Sequence, residues 1–285
     1  MGNSRAPLIR VGRDAKGSDV FLEPFASYHT LISGMTRSGK SSLVYGYLSN
    51  LSNLSNLKPL KIKLCGVDPT GVLFSAIGSS GLGGDSLRVS TLQDVDAIKE
   101  KTHLLVEEMD RRINLLLSLR RDKFDYEDFT EKFPLLLVLY EEFPGLVNSL
   151  KISDALLKPA DRVLPRFLAD LQRLCFEGLK VGIRIYLICQ RGSVETIGSN
   201  LRSQLDQKIS FRQRGDSFGM LHRLTPEQIK QGERFLPGQA FLDTPGQDLK
   251  KFRADFCSFE RFSDFFKDCR GGDGAPTGCN KTVNA

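Results

Sequence analysis

Eight residues, GMTRSGKS at 34–41, have the types and the spacing to hold a polyphosphate. Gly34 and Gly39 leave the backbone free to curl so that successive N–H groups face inward. A helix starting near Lys40 adds the positive end of its dipole. Lys40 would bridge the β- and γ-phosphates of a nucleoside triphosphate, and the Ser41 hydroxyl would ligate Mg²⁺. The nucleotide-binding set is therefore Gly34, Met35, Thr36, Arg37, Ser38, Gly39, Lys40, Ser41 and Ser42. A random chain of this length carries the pattern about once in a hundred. The strand before it and the helix after it make a chance match rarer still.

Hydrolysis also needs acids at the end of a neighbouring strand. LLLVLYEEF at 135–143 supplies two. Glu141 would hold the magnesium shell, and Glu142 would polarise the attacking water as general base. Gln190 ends another apolar run, VGIRIYLICQ at 181–190, where an amide could sense the γ-phosphate and couple its loss to movement.

The elements that must position these groups alternate between strand and helix, the pattern of a parallel sheet with crossover helices. Strands are predicted at 29–33, 60–68, 134–140, 181–190 and 207–211, with 238–243 and 250–256 as a hairpin. Helices are predicted at 40–50, 94–119 and 154–179, and SFERFSDFFKD at 258–268 reads as a short amphipathic helix. Ile98, Leu105, Met109, Ile113 and Leu116 recur at the spacing of one buried helix face. The polar, glycine-rich stretch from 269 to 285 is expected to be a disordered tail.

The 285 residues suffice for one large α/β domain. With 40% hydrophobic and 26% charged residues, the composition is that of a soluble globular protein. The net charge of +6 suits a polyanionic partner but chiefly bears on solubility. Six cysteines without a CxxC pair, and three scattered histidines, argue against a disulfide framework or a zinc site. A reducing, cytoplasmic setting follows. The N-terminus has no signal-peptide core, and Ala6 breaks the myristoylation pattern that Gly2 begins. The longest apolar run, PLLLVLY, is too short to span a bilayer.

Taken together, LISGMTRSGKSS, VDPTG (67–71), VEEMDRR (106–112), LLLVLYEEFPGLV, LQRLCFEGLKVGIRIYLICQR and PGQAFLD resemble, in order and spacing, the FtsK/SpoIIIE DNA translocases. The likeness extends from about residue 10 to 256. It implies a RecA-like P-loop NTPase with a β-rich lead-in at 1–27 and a motor domain at 28–268. Such a motor would pump double-stranded DNA as a homo-oligomeric ring, usually a hexamer, with ATP and Mg²⁺ between subunits. The resemblance places Lys40, Ser41, Glu141, Glu142 and Gln190 on the family's nucleotide motifs. Arg173 matches a family arginine that could reach a neighbouring subunit's nucleotide, with Arg212 and Arg214 as rivals.

DNA would meet either Arg202, Lys208, Arg212 and Arg214, or Arg111, Arg112, Arg120, Arg121 and Lys123. Both sets also read as solvated faces or structural ion pairs. The chain departs from the family in having Glu141 for the usual Asp and Arg-Gly-Ser after Gln190. The family's membrane-spanning and DNA-reading modules are expected to be absent. A motor in conjugative or mobile-element transfer is thus expected, with viral genome packaging and protein secretion as alternatives. Its membrane, relaxase or capsid partner leaves no trace in the sequence. A GTP-binding switch is disfavoured, because the only Asn-Lys pair, Asn280-Lys281, is followed by Thr-Val instead of x-Asp.

Overall fold

Two largely apolar runs, LLLVLY and IRIYLIC, become neighbouring strands in which every residue is buried, Arg184 included. The computed structural model describes residues 6–55, 61–78, 83–89, 94–190 and 197–268. In chain order the strands are β1 (Ile9–Asp14), β2 (Asp19–Leu22), β3 (Thr30–Ser33), β4 (Ile62–Val67), β5 (Gly83–Val89), β6 (Leu135–Tyr140), β7 (Ile183–Cys189), β8 (Gln207–Phe211), β9 (Gln239–Asp243) and β10 (Lys250–Ala254). The helices are α1 (Lys40–Ser55), α2 (Val72–Ile77), α3 (Val95–Leu119), α4 (Phe143–Ser153), α5 (Val163–Glu177), α6 (Ser199–Ser203), α7 (Gly215–Leu221), α8 (Pro226–Glu233) and α9 (Phe259–Asp268). The strands form one sheet in the order β2-β1-β10-β9-β8-β3-β7-β6-β4-β5.

The block from β8 to β5 is parallel throughout, and the remaining pairings are antiparallel. The chain moves one way along the sheet from β3 to β4 to β5, then returns through β6 and β7 to β8. Right-handed crossovers therefore put α1 and α2 on one face and α3, α4 and α5 on the other. The packing agrees. Helix α9 lies on α1 and α2, while α3 and α4 each pack on α5. Covering on both sides is what lets β6 be apolar at every position and β7 at all but Arg184. The expected mostly parallel α/β sheet with a C-terminal hairpin and short helix is what the structure contains. The β1 and β2 strands of the lead-in join this same sheet, with Gly12 opposite Ala254. The tail at 269–285 lies outside the described residues.

One expected helix begins late. The sequence pattern runs from Asp154 to Leu179, but the regular helix starts at Val163. Pro159 opens a separate 3-10 turn at Pro159–Asp161, and the buried Asp154 carboxylate instead caps α5 from outside. It accepts hydrogen bonds from the Val163 and Leu164 backbone N–H groups, both at 2.8 Å. That satisfies donors which a helix start leaves open.

A buried histidine ties β3 to its surroundings. His29 Nδ1 accepts from the Ile185 N–H at 2.9 Å, and Nε2 donates to the Cys175 carbonyl at 3.0 Å, so the ring is neutral. Burial, helped by the nearby Arg184 guanidinium, pushes its pKa down to about 3. The unfolded chain takes up this proton near pH 6.5 and the folded chain only near pH 3. Stability is therefore complete above pH 6.5 and falls as pH drops through that window. Between pH 6.5 and 5, His29 is expected to cost about 2 kcal/mol. Urea unfolding at the two pH values checks this. His29→Gln should flatten the slope, and an unchanged slope would contradict the assignment.

Candidate active site

The C-terminal ends of β3, β7, β6 and β4 lie side by side, and each hands over directly to a polar residue of the site. In a parallel sheet this edge is where ligands bind. The loop 34–39 leaves β3, Gln190 follows β7, Glu141 and Glu142 follow β6, and Asp68 follows β4. Sheet order thus sets Gln190 between the loop and the acids, and the Thr36 hydroxyl donates to its Oε1 at 3.1 Å.

The loop is shaped for an anion. Gly39 has φ +114°, and a Cβ there would sit 2.8 Å from the Gly238 backbone nitrogen, so no larger residue fits. Arg37 holds a left-handed conformation at φ 60°, a backbone strain of the kind that gathers at ligand sites. The loop is tied down from both sides. Met35 N donates to the Arg212 carbonyl at 2.8 Å, and Gly238 N donates to the Ser38 carbonyl at 2.8 Å. Inside it, the Ser38 hydroxyl is buried without a hydrogen-bond partner among the described residues. Lys40 reaches back so that Nζ donates to the Gly34 and Met35 carbonyls at 2.8 and 2.9 Å. A bound phosphate chain would replace those carbonyls with stronger, charged acceptors.

Ser41 lines the same cavity as Lys40. Ser42 has a structural duty, since its hydroxyl accepts from the Cys257 N–H at 2.8 Å and so anchors α1 to the C-terminal segment.

The acids and the lysine act on one another through their charges. Burial lowers the Lys40 pKa, and the charges of Glu142, Cys189 and Glu141 oppose that shift. Burial, with the Asp68 and Glu142 charges, pushes Glu141 up to about 7. Acids that repel each other beside an ammonium provide an edge that a divalent cation would relieve. Among the described residues, no group of three or more His, Cys, Asp or Glu side chains could hold a metal alone. Magnesium bound largely through water and phosphate oxygens does not need one. Ser41 and Glu141 therefore fit the ion.

The sequence alone predicts no site role for Asp68. Its carboxylate accepts from Thr70 N at 3.0 Å, Thr70 Oγ1 at 2.8 Å and Leu73 N at 2.7 Å, which folds the Asp-Pro-Thr-Gly turn and starts α2. The turn dipeptide was the available signal; its nearness to Glu141 depends on β4 pairing with β6.

The arginines are less concentrated. Arg173 on α5 donates to Asp110 at 2.7 Å and to Glu177 at 3.3 Å, so its partners within the chain are surface acids and not the loop. Arg112 is buried, bonded to Glu108 and to the Val181 and Pro134 carbonyls, and so has a structural role. Arg121 pairs with Asp128. Arg202 stands on α6, Lys208 on β8, Arg212 just beyond β8, and exposed Arg214 at the start of α7.

A second cavity, of about 470 Å³, holds Lys208, His222 and Asp243. Here Ser210 Oγ is 2.6 Å from His222 Nε2, and His222 Nδ1 is 3.0 Å from Asp243 Oδ2, the connectivity of a hydrolytic triad. Ser210 is fully buried and also bonded to Ser33 Oγ at 3.0 Å, so no substrate carbonyl can reach it. The chain of bonds ties β3, β8, α7 and β9 together.

The sequence profile of the FtsK/SpoIIIE family matches residues 3–234 of the chain. The chain belongs to the FtsK/SpoIIIE family. Similar proteins include the DNA translocase FtsK of Borreliella burgdorferi, 28% identical over 221 residues, and that of Campylobacter jejuni, 26% identical over 273 residues. The matches cover 74% and 93% of this chain but only 25% and 27% of those proteins, so the chain spans about a quarter of the length of these FtsK relatives.

Among solved structures, the pCW3 conjugation coupling protein TcpA, a monomer with ATPγS, superposes with a TM-score of 0.70 at 19% identity, over 94% of this chain and 72% of that one. The type VII secretion ATPase EccC of Thermomonospora curvata gives 0.69 at 19% identity, over 100% of this chain and 33% of that one. These likenesses establish the fold. Family membership marks this FtsK/SpoIIIE chain as a P-loop ATPase. Among the described residues no helix is long and apolar enough to cross a membrane.

Proposed function

We propose that the chain is the ATP-driven motor of a double-stranded DNA translocase, working as a homo-oligomeric ring. The observation that carries this reading is the convergence of the 34–41 loop, Glu141, Glu142 and Gln190 on one sheet edge in an FtsK/SpoIIIE chain. Lys40 leaves the loop carbonyls to neutralise the β- and γ-phosphates, and the loop N–H groups hold the rest of the chain. Ser41 and Glu141 would hold Mg²⁺, which would supply charge neutralisation at the phosphate oxygens. Glu142 takes the proton of the attacking water. Gln190, bonded to the loop through Thr36, transmits loss of the γ-phosphate along β7.

The finer reading is a cytoplasmic motor for conjugative or mobile-element DNA, hexameric, with DNA phosphates met by Arg202, Lys208, Arg212 and Arg214. ATP turnover with and without linear double-stranded DNA tests the substrate class. DNA is expected to raise the rate; stimulation by unfolded polypeptide instead would favour a secretion motor.

Arg173 is proposed to act on the next subunit's nucleotide. Its half-exposed position on the surface of α5 supports that role. Arg173→Ala should lower turnover at least about tenfold, the scale of one lost charge-assisted contact. Mixing it with Lys40→Ala subunits should restore part of the rate, because mixed rings regain complete sites. Mixtures no faster than either variant alone would contradict action in trans.

A further inference from the structure

A cavity of about 480 Å³ opens beside Lys40 and Ser41, and its other wall is made by Pro237, Gly238 and residues Arg253 to Phe256. Within it Phe256 is 77% exposed. An aromatic ring so open to water on a loop could be an accident of a loose segment. Here the backbone on both sides of it is pinned.

Ala254 N donates to the Gly238 carbonyl at 2.8 Å, and Asp255 N donates to the Val11 carbonyl at 3.0 Å. On the other side, Cys257 N donates to Ser42 Oγ at 2.8 Å, on the first turn of the very helix that Lys40 begins. Asp255 is held again by Arg10, at 2.8 Å. The fold thus spends four contacts on fixing the backbone that presents Phe256, and leaves the ring itself uncovered.

We infer that Phe256 is the platform on which the base of the bound nucleotide stacks, a role that rests on the ATP reading of the adjoining loop. A rigid aromatic face offers apolar area and π contact at little entropy cost. Stacking is tolerant of base identity, because every base presents a π face. The polar wall adds little discrimination of its own. Ser42 is bonded to Cys257 and Asp255 to Arg10, while Arg37 and Arg253 are solvent-exposed cations that suit phosphate or ribose oxygens as well as a base. Phe256 therefore supplies affinity for purine nucleosides as a class, and ATP and GTP are held alike.

The test is equilibrium binding of Mg-ATP, Mg-GTP and inorganic tripolyphosphate to the full chain and to Phe256→Ala and Phe256→Tyr. Phe256→Ala should weaken both nucleotides about 5- to 150-fold, the range of one lost base–aromatic stack. Tripolyphosphate affinity should be unchanged, and Phe256→Tyr should restore both nucleotides. An unchanged unfolding midpoint is expected of Phe256→Ala, since the ring is not packed in the core. Undiminished ATP affinity in Phe256→Ala, or an equal loss for tripolyphosphate, would overturn the platform. So would a Phe256→Ala chain that loses its oligomer mass while binding ATP normally, which would make the ring a subunit contact. A native chain that binds neither ATP nor tripolyphosphate would instead overturn the nucleotide site itself.

Discussion

Replacing Lys40 by alanine is expected to cut ATP turnover about a hundred- to a thousandfold, the cost of losing one preorganised electrostatic contact to the reacting group. Lys40 is only 8% exposed, and its ammonium lies inside the loop against the Gly34 and Met35 carbonyls. There its charge acts through a low dielectric. Arg37 and Arg253 line the same cavity, but both are exposed and their fields are screened by solvent. They do not replace it. The variant should fold normally, because burial already disfavours the charged lysine in the nucleotide-free protein. Steady-state ATP hydrolysis beside a thermal melt separates the two effects. Near-native turnover in a folded Lys40→Ala chain would remove the loop from the chemistry.

Glu142→Gln should do the opposite to binding and the same to chemistry. ATP affinity should be kept, while hydrolysis falls about a hundred- to ten-thousandfold, the usual contribution of a positioned general base. The backbone singles this residue out. Glu142 stands at φ 46° and ψ 49°, a left-handed conformation that a side-chain-bearing residue rarely adopts. The strain, on the order of 1 kcal/mol, lies between the end of β6 and the start of α4. Its effect is to break the strand's alternation, so that consecutive acids need not point to opposite faces of the sheet. Glu142 is also the carboxylate whose charge acts most strongly on Lys40. Nucleotide-binding and single-turnover measurements check the split between affinity and rate. A freely cycling Glu142→Gln would assign the base elsewhere.

The parts of this site that could be read from the sequence are those whose chemistry is local. The 34–41 loop is contiguous, and its Gly-Lys-Ser order states its function before any fold is known. The acids after LLLVLY and the amide after VGIRIYLIC are legible because a fully buried parallel strand is a mostly apolar run, and the residue that ends it lies at the ligand edge. What was not legible depends on neighbours distant in the chain. Asp68 acts on Glu141 only because β4 lies beside β6. Phe256 faces the nucleotide cavity only because β10 returns next to β9 and Cys257 bonds to Ser42.

Some elements hid for simpler reasons. Helix α4 is not predicted by the sequence because Pro144 and Gly145 look like a turn, although proline is well tolerated in a helix's first turn. Strand β5 opens with two glycines, and only its last four residues, Ser86 to Val89, alternate polar and apolar. The basic stretches illustrate the limit of charge counting. Arg112 belongs to a run that could have met DNA, yet its guanidinium is buried against two backbone carbonyls and Glu108.

Displacement of a third strand from a DNA triplex by the chain with Mg-ATP tests the motor most directly, since it reads movement along the duplex as well as hydrolysis. The expected result is release of the third strand that requires hydrolysable ATP and disappears in Lys40→Ala. ATP turnover that continues while the triplex stays intact, at chain concentrations where the ring is assembled, would contradict DNA translocation.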